Sequence, residues 1–343
     1  MLFKKANFAI IAIILFSLAG LRIPTIFSSL ENGIVRVSVS IEILKSIISP
    51  IISGVGEIHP IISGDIEPHS FTLTPDAIDI ARESDLIIIT GHMKWEEDLV
   101  NQVAKERGVS ADSISINILN LNGIRILNLN GERNIHGFWL LPDNALIIAK
   151  EIKERLLKLK PELSEKLSDN YEAFEKKISN LKIFLHNLLN KYDLYNRSVA
   201  IGFYAEHYIA ESMGLKVAHL LIGEEESIRP ESLRRIYEGF KSGEFSCIIV
   251  SDTALLMEGI QNALEKISKE TGCPIAYVLT VSSNGIEDYD AIMYYNAGQV
   301  YGALLSKHEA VSSSSNIYLL VIIFLLLAII FETALFFRGR IRL

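Results

Sequence analysis

The side chains able to hold a metal ion in this chain are its eight histidines and its carboxylates, because Cys247 and Cys273 are too few for a cysteine-rich zinc site. His69 lies in the loop 63–75, Ser-Gly-Asp-Ile-Glu-Pro-His-Ser-Phe-Thr-Leu-Thr-Pro, between a short apolar run at 58–62 and a helix that Thr74 caps and Pro75 opens. His136 lies in 134–144, Asn-Ile-His-Gly-Phe-Trp-Leu-Leu-Pro-Asp-Asn, ahead of another helix. A loop leaving the carboxyl end of a strand borders the crevice in which open parallel sheets bind ligands. Two imidazoles more than sixty residues apart, each at such a place in one lobe, can converge on a single ion as sequence neighbours cannot. Imidazole suits zinc and other late first-row metals, and a carboxylate partner widens the choice toward manganese.

The elements that must position these residues alternate short β-branched runs with amphipathic stretches, the pattern of βαβ units and parallel sheet. In the first half the strands are expected at 34–40, 58–62, 86–90 and 114–119. Helices are expected at 41–48, ended by Pro50, at 76–83 and at 95–107. The hexapeptide Ile-Leu-Asn-Leu-Asn-Gly at 118–123 recurs at 126–131, and its Asn-Gly pairs point to a hairpin. One helix covers 143–159, and a second, opened by Pro161, keeps its period through Leu189, roughly 40 Å of helix. That length suggests a spine between two lobes, with a coiled-coil dimer as the competing reading. In the second half, strands at 199–203, 216–221, 247–251 and 274–280 alternate with helices at 205–213, 230–241, 254–271 and 288–305.

Length and composition frame this reading. At 343 residues and 49% hydrophobic content, two lobes can each bury a core, and the net charge of -8 argues against nucleic acid. Both ends address a membrane. Lys4 and Lys5 precede an apolar run at 8–21, which reads as a secretory signal or anchor, and 317–337 is apolar except for Glu332 and Thr333. Arg338, Arg340 and Arg342 follow, so the positive-inside rule places both termini in the cytoplasm and 33–315 outside. Enzyme signatures are missing: His308-Glu309 lacks a second histidine, and neither a nucleophile elbow nor a phosphate-binding glycine loop occurs.

Taken with Pro68, Ser70, Thr74 and Pro75, His69 resembles the first metal-ligand segment of the periplasmic binding proteins that feed zinc or manganese importers of the ABC type. The stretch around His136 resembles the second ligand segment of that family, with one extra residue before Trp139 and with Leu141 where an acidic residue is usual. Asp143 stands ready to supply that acidic function. The resemblance covers 34–307 and implies an α/β fold of two lobes, each with a four-stranded parallel sheet, joined by a long spine helix. The expected order is 1–32 signal peptide or N-terminal anchor, 33–160 first lobe, 161–192 spine, 193–310 second lobe, 311–316 tether, 317–337 transmembrane helix and 338–343 basic tail.

The family takes its third ligand from the second lobe and its fourth, usually aspartate, from near the last strand. Here those positions fall on Phe203, which cannot bind a metal, and on Thr280. The nearest substitutes are His207, with Glu206 beside it, and Asp252 at the neighbouring strand end. The expected ligand set is therefore His69, His136, His207 and Asp252, although Asp252 also suits a helix cap. His92, at another strand end, either lines the cleft or caps a turn. What the resemblance implies is a monomeric, membrane-anchored, extracytoplasmic receptor that holds zinc or manganese between its lobes for an ABC permease and performs no catalysis. Two rivals remain: a degenerate-site adhesion or sensor module, and a metal-dependent hydrolase using Glu67 or Glu206 as its base.

Overall fold

The computed structural model describes residues 34–64, 66–223, 227–306, 322–324 and 326–327. No helix among them is long and apolar enough to cross a membrane. The expected signal or anchor at 8–21, the tether, and all of the expected span 317–337 except those two short pieces lie outside the described residues.

The first sheet contains β1 (Val35–Ile41), β2 (Gly56–Ile62), β3 (Leu86–Ile89) and β4 (Ser115–Asn117), all parallel, in the order β2-β1-β3-β4. β3 is a continuous apolar run and β1 buries Ser38 and Ser40 along with its apolar residues, because helices cover both faces of such a sheet. The chain passes from β2 across β1 to reach β3, so the loops leaving β2 and β3 open onto one crevice at the carboxyl end of β1. One of those loops carries His69 and the other His92.

Pro50 does not end the first helix. α1 (Lys45–Ile52) runs through it. The loss of a backbone donor costs about 3 kcal/mol, but Ile47, Ile48, Ile51 and Ile52 on the same helix are all buried, at about 1.5–3 kcal/mol each. α2 (Pro75–Glu83) is capped by the Thr74 hydroxyl, which accepts from the Ala77 amide, and α3 (Lys94–Arg107) follows β3. The repeated hexapeptide does give a hairpin, but from its second copy alone. β5 (Leu127–Leu129) pairs antiparallel with β6 (Glu132–Asn134) across Asn130 and Gly131, both at positive φ, while the first copy winds into a short 3-10 turn at Ile118–Asn120.

α4 (Pro142–Leu159) and α5 (Ser164–Tyr192) form the helical connection. The 29 residues of α5 span roughly 43 Å and bury Leu167, Phe174, Ile178, Leu181, Leu185 and Leu189 at helical spacing. Its Asn170 donates to the carbonyls of Ile51 and Ser53, closing the carboxyl end of α1 in the first lobe. Its Phe174 packs on Tyr289 of α9 (Tyr289–Leu305) in the second, with ring centres 6.3 Å apart.

The second sheet has β7 (Ser198–Ile201), β8 (Lys216–Leu220), β9 (Ile248–Ser251) and β10 (Ile275–Val278), again all parallel, in the order β10-β9-β7-β8. α6 (Glu206–Ser212), α7 (Pro230–Ser242) and α8 (Ile260–Thr271) complete it with α9. The single helix expected at 254–271 is interrupted at Gly259, whose φ of 78° breaks the helical path. Cys247 and Cys273, at the starts of β9 and β10, are buried free thiols. One apolar core runs from the first sheet through α5 into the second lobe, and a smaller one fills the far face of the second sheet.

Candidate metal centre

Three loops of the first lobe bring three imidazoles together. One ligand nitrogen each from His69, His92 and His136 lies within 4.8 Å of the others, and the ring centres are 5.2–5.4 Å apart. An ion bound at about 2.0–2.1 Å from each nitrogen would draw such a set together.

His69 is held from its own turn. Glu67 caps a 3-10 turn, accepting from the amides of His69 (3.0 Å) and Ser70 (2.6 Å), and its Oε1 lies 2.7 Å from His69 Nδ1. Burial works against the Glu67 charge, but these bonds and the imidazole prevail and hold its carboxyl at about 2. A carboxylate can only accept, so Nδ1 carries the proton and Nε2 is the nitrogen that His69 offers to an ion. Trp95 fixes the same turn by donating to the Pro68 carbonyl at 2.8 Å.

His92 follows β3, and its Nδ1 lies 2.9 Å from the Thr90 hydroxyl. Trp139 stacks over its ring at 6.0 Å and 25°. Burial, reinforced by the neighbouring imidazoles, pushes its pKa well below the usual value.

His136 follows β6. Its amide donates to the Asn134 side chain at 3.0 Å, and that same side chain donates to the Tyr204 carbonyl of the second lobe at 2.8 Å. Burial, followed by the charge of His69, lowers the ring to about 4. His136 Nδ1 is buried with no hydrogen-bond partner. Two imidazoles held below their usual pKa, one of them with a buried nitrogen lacking a partner, suit a metal ion better than a solvated surface.

The second lobe closes this cluster with apolar surface. Phe203 and Tyr204 lie 5.7 and 5.4 Å from the His136 ring, and Ile41, Met93, Trp139, Phe203, Ala205 and Val281 wall a cavity of about 20 Å³ beside the histidines. On the other side, a recess of about 490 Å³ bounded by Phe71, Lys94, Trp95 and Asp98 leads outward from His69 and His92. The lobes are tied at the rim, where Trp139 Nε1 donates to the Thr280 carbonyl at 3.1 Å and the Tyr208 hydroxyl bridges the Leu127 amide and the Asn134 carbonyl.

The zinc-uptake complex component A family, periplasmic, matches residues 37–303 of this chain. The chain belongs to that family. Its members are substrate-binding proteins of metal ABC importers and not enzymes. The iron-binding protein YfeA of Yersinia pestis is 26% identical over 72% of this chain and 78% of its own length. The manganese ABC transporter substrate-binding lipoprotein PsaA of Streptococcus pneumoniae is 23% identical over 71% of this chain and 81% of its own. Among solved structures, FpvC of Pseudomonas aeruginosa in complex with Mn2+ shares the fold with a TM-score of 0.65 at 20% identity, over 79% of this chain and 98% of that one.

Within this member of the zinc-uptake family, the structure brings His69 and His136 together and adds His92 to them. It sets the other two expected ligands apart. His207 is one residue into α6, where its Nδ1 faces Asn134 Nδ2 at 3.5 Å, outside the three-histidine group. Asp252 is committed to its own lobe. Its carboxylate accepts from the amides of Thr253, Thr280, Val281 and Ser282 and from the Thr280 hydroxyl at 2.7–3.3 Å, binding the turn after β10 to β9. Glu206 is wholly buried, accepting from the amides of Phe203 and Ser251, and burial raises it to about 8. The signal for His92 is its setting: it lies just past the end of β3, which flanks β1 on the side opposite β2, and the loop leaving β2 carries His69.

Proposed function

We propose that this chain captures a divalent transition-metal ion on His69, His92 and His136 and delivers it to the permease of an ABC importer. The observation that carries the reading is the convergence of three ligand nitrogens within 4.8 Å, all from the first lobe. Membership of the zinc-uptake family supplies the transport context.

The donor set favours zinc over manganese. Three neutral nitrogens with no carboxylate among them suit a borderline ion such as zinc, whereas manganese prefers oxygen donors. Phe203, where the family supplies a second-lobe ligand, offers only an apolar ring. The fourth coordination position is left to water or to a solute reached through the outer recess. The resemblance to lipoproteins that serve such importers, together with the apolar run 317–337 and its arginine-rich end, supports an extracytoplasmic receptor tethered to the membrane.

The test is metal analysis of protein purified without chelator, followed by calorimetric titration with zinc and manganese. One zinc per chain, with manganese bound more weakly, is expected. A chain that takes up neither ion saturably would overturn the reading.

A further inference from the structure

We infer that Thr90 and Glu96 are positioning residues of the metal centre, forming a relay that fixes the His92 ring with its Nδ1 protonated and its Nε2 turned over to the ion. The inference rests on reading the three histidines as a metal site.

The geometry allows one assignment of protons. Glu96 is fully buried in the first turn of α3 and accepts four hydrogen bonds, from the amides of Thr90 (2.7 Å), Gly91 (2.8 Å) and Met93 (3.2 Å) and from the Thr90 hydroxyl. That hydroxyl lies 2.8 Å from both carboxylate oxygens. A hydroxyl has a single proton, and a carboxylate can only accept, so the Thr90 proton points at Glu96. What Thr90 has left for His92 is a lone pair, 2.9 Å from Nδ1. Nδ1 must therefore carry the proton of the neutral ring, and Nε2 keeps the lone pair that a metal needs.

The second lobe provides an internal comparison. Glu206 stands in the first turn of α6 as Glu96 does in α3, is equally buried, and grips the loop after β7 through the Phe203 amide. It accepts from the Phe203 and Ser251 amides and from the Ser251 side chain, which stands on β9 and not in the loop that Glu206 holds, and that loop carries Phe203 where the first lobe carries a histidine. A buried carboxylate is thus enough to shape such a loop. The hydroxyl of Thr90, itself fully buried, is the extra part present where the loop must present an imidazole. Gly91 lets the backbone turn there: its φ is 89°, and a Cβ would fall 1.8 Å from Asn117 Oδ1.

The relay also reaches the charge of the site. A divalent ion on three neutral rings has no anionic ligand, and the hydrogen-bonded chain from Glu96 through Thr90 raises the basicity of His92, as carboxylates behind metal-bound histidines do.

The test uses the full folded domain, first without metal. Ring 15N–1H correlation spectra, with His92→Ala to identify the resonances, should show His92 protonated at Nδ1, in Thr90→Ser as in the parent, whereas Thr90→Val should lose that preference. Zinc titration should then show Thr90→Val weakened about 10–100-fold and Thr90→Ser close to the parent. In a His92→Ala background Thr90→Val should cost nothing further, because its effect travels through the ring. A parent His92 protonated at Nε2, or a Thr90→Val loss that adds in full to that of His92→Ala, overturns the relay. Failure of the parent to bind zinc would refute the metal reading separately, and the ring spectra would still judge the relay.

Discussion

Gly137 leaves no room for a side chain against Ala205: an ideal Cβ at Gly137 would lie 2.9 Å from the Ala205 Cα. This contact joins the residue after His136 to the start of the second lobe's first helix, so the His136 loop and the opposing lobe share one surface. Gly137 also has a φ of 86°, which costs a side-chain-bearing residue about 1–3 kcal/mol.

Gly137→Ala is therefore expected to act twice. Backbone strain should lower the thermal midpoint by several degrees, since about 1 kcal/mol shifts a domain of this size by roughly 2–4 °C. The push against Ala205 should displace His136 and weaken zinc binding as well. Thermal unfolding and calorimetry on the same sample read both effects. Loss of stability with affinity intact would show that the lobe contact does not govern the ligand.

Alanine scanning should separate the three clustered histidines from the fourth. His69→Ala, His92→Ala and His136→Ala each remove a nitrogen from the group and should weaken zinc binding by more than the roughly 10–100-fold typical of a supporting residue. His207→Ala should fall at or below that range, because the ring faces Asn134. Equal losses at His92 and His207 would contradict a site built from one lobe.

Why the sequence singled out His69 and His136 and left His92 between lining the cleft and capping a turn is a matter of strand order. The first two sit in segments whose local residues carry the information. His92 becomes a partner of His69 only because β3 lies beside β1 with β2 on the other side, and strand order is a property of the folded sheet. Helical phase decided the second-lobe residues in the same way. α6 begins at Glu206, whose carboxylate turns inward to the Phe203 and Ser251 amides, while His207, one position and about 100° further on, points elsewhere. The alternation of strands and helices was readable throughout, whereas Pro50 misled because the burial of four isoleucines is visible only in three dimensions.

The two cysteines should be inert in the native protein. Both are fully buried, and burial raises Cys247 to about 12 and Cys273 higher still, so almost no thiolate is available to react. A thiol reagent should label neither at neutral pH within the time in which a denatured sample reacts at both. Prompt labelling of the native chain would mean that the second sheet opens at the β9–β10 edge.

Metal-free protein should carry two acid-side losses of known sign, set against Glu206, whose carboxyl, raised by burial to about 8, contributes stability that grows as the pH falls from 8 toward 4.5. The folded-state pKa of His136 is about 4, below its ordinary value of 6.5, so between those values the unfolded chain binds a proton that the folded chain refuses. Its contribution is then full above about pH 6.5 and declines toward pH 4. His92, lowered for the same reason of burial, acts in the same direction. Glu67 is held at about 2 against an ordinary 4.5, and its contribution is present above pH 4.5 and lost as the pH falls through 2. Denaturant midpoints measured from pH 7.5 to pH 3 should show the parent losing ground against His136→Asn between about 6.5 and 4, while the decline belonging to Glu67 stays in both. Zinc, which takes only neutral rings, should stabilise most at the upper end of the range and progressively less toward pH 4. A parent and a His136→Asn variant whose midpoints follow the same course between pH 6.5 and 4 would mean that the ring is hydrated enough to charge in place, and the case for a preformed site that excludes the charged ring would fall with it.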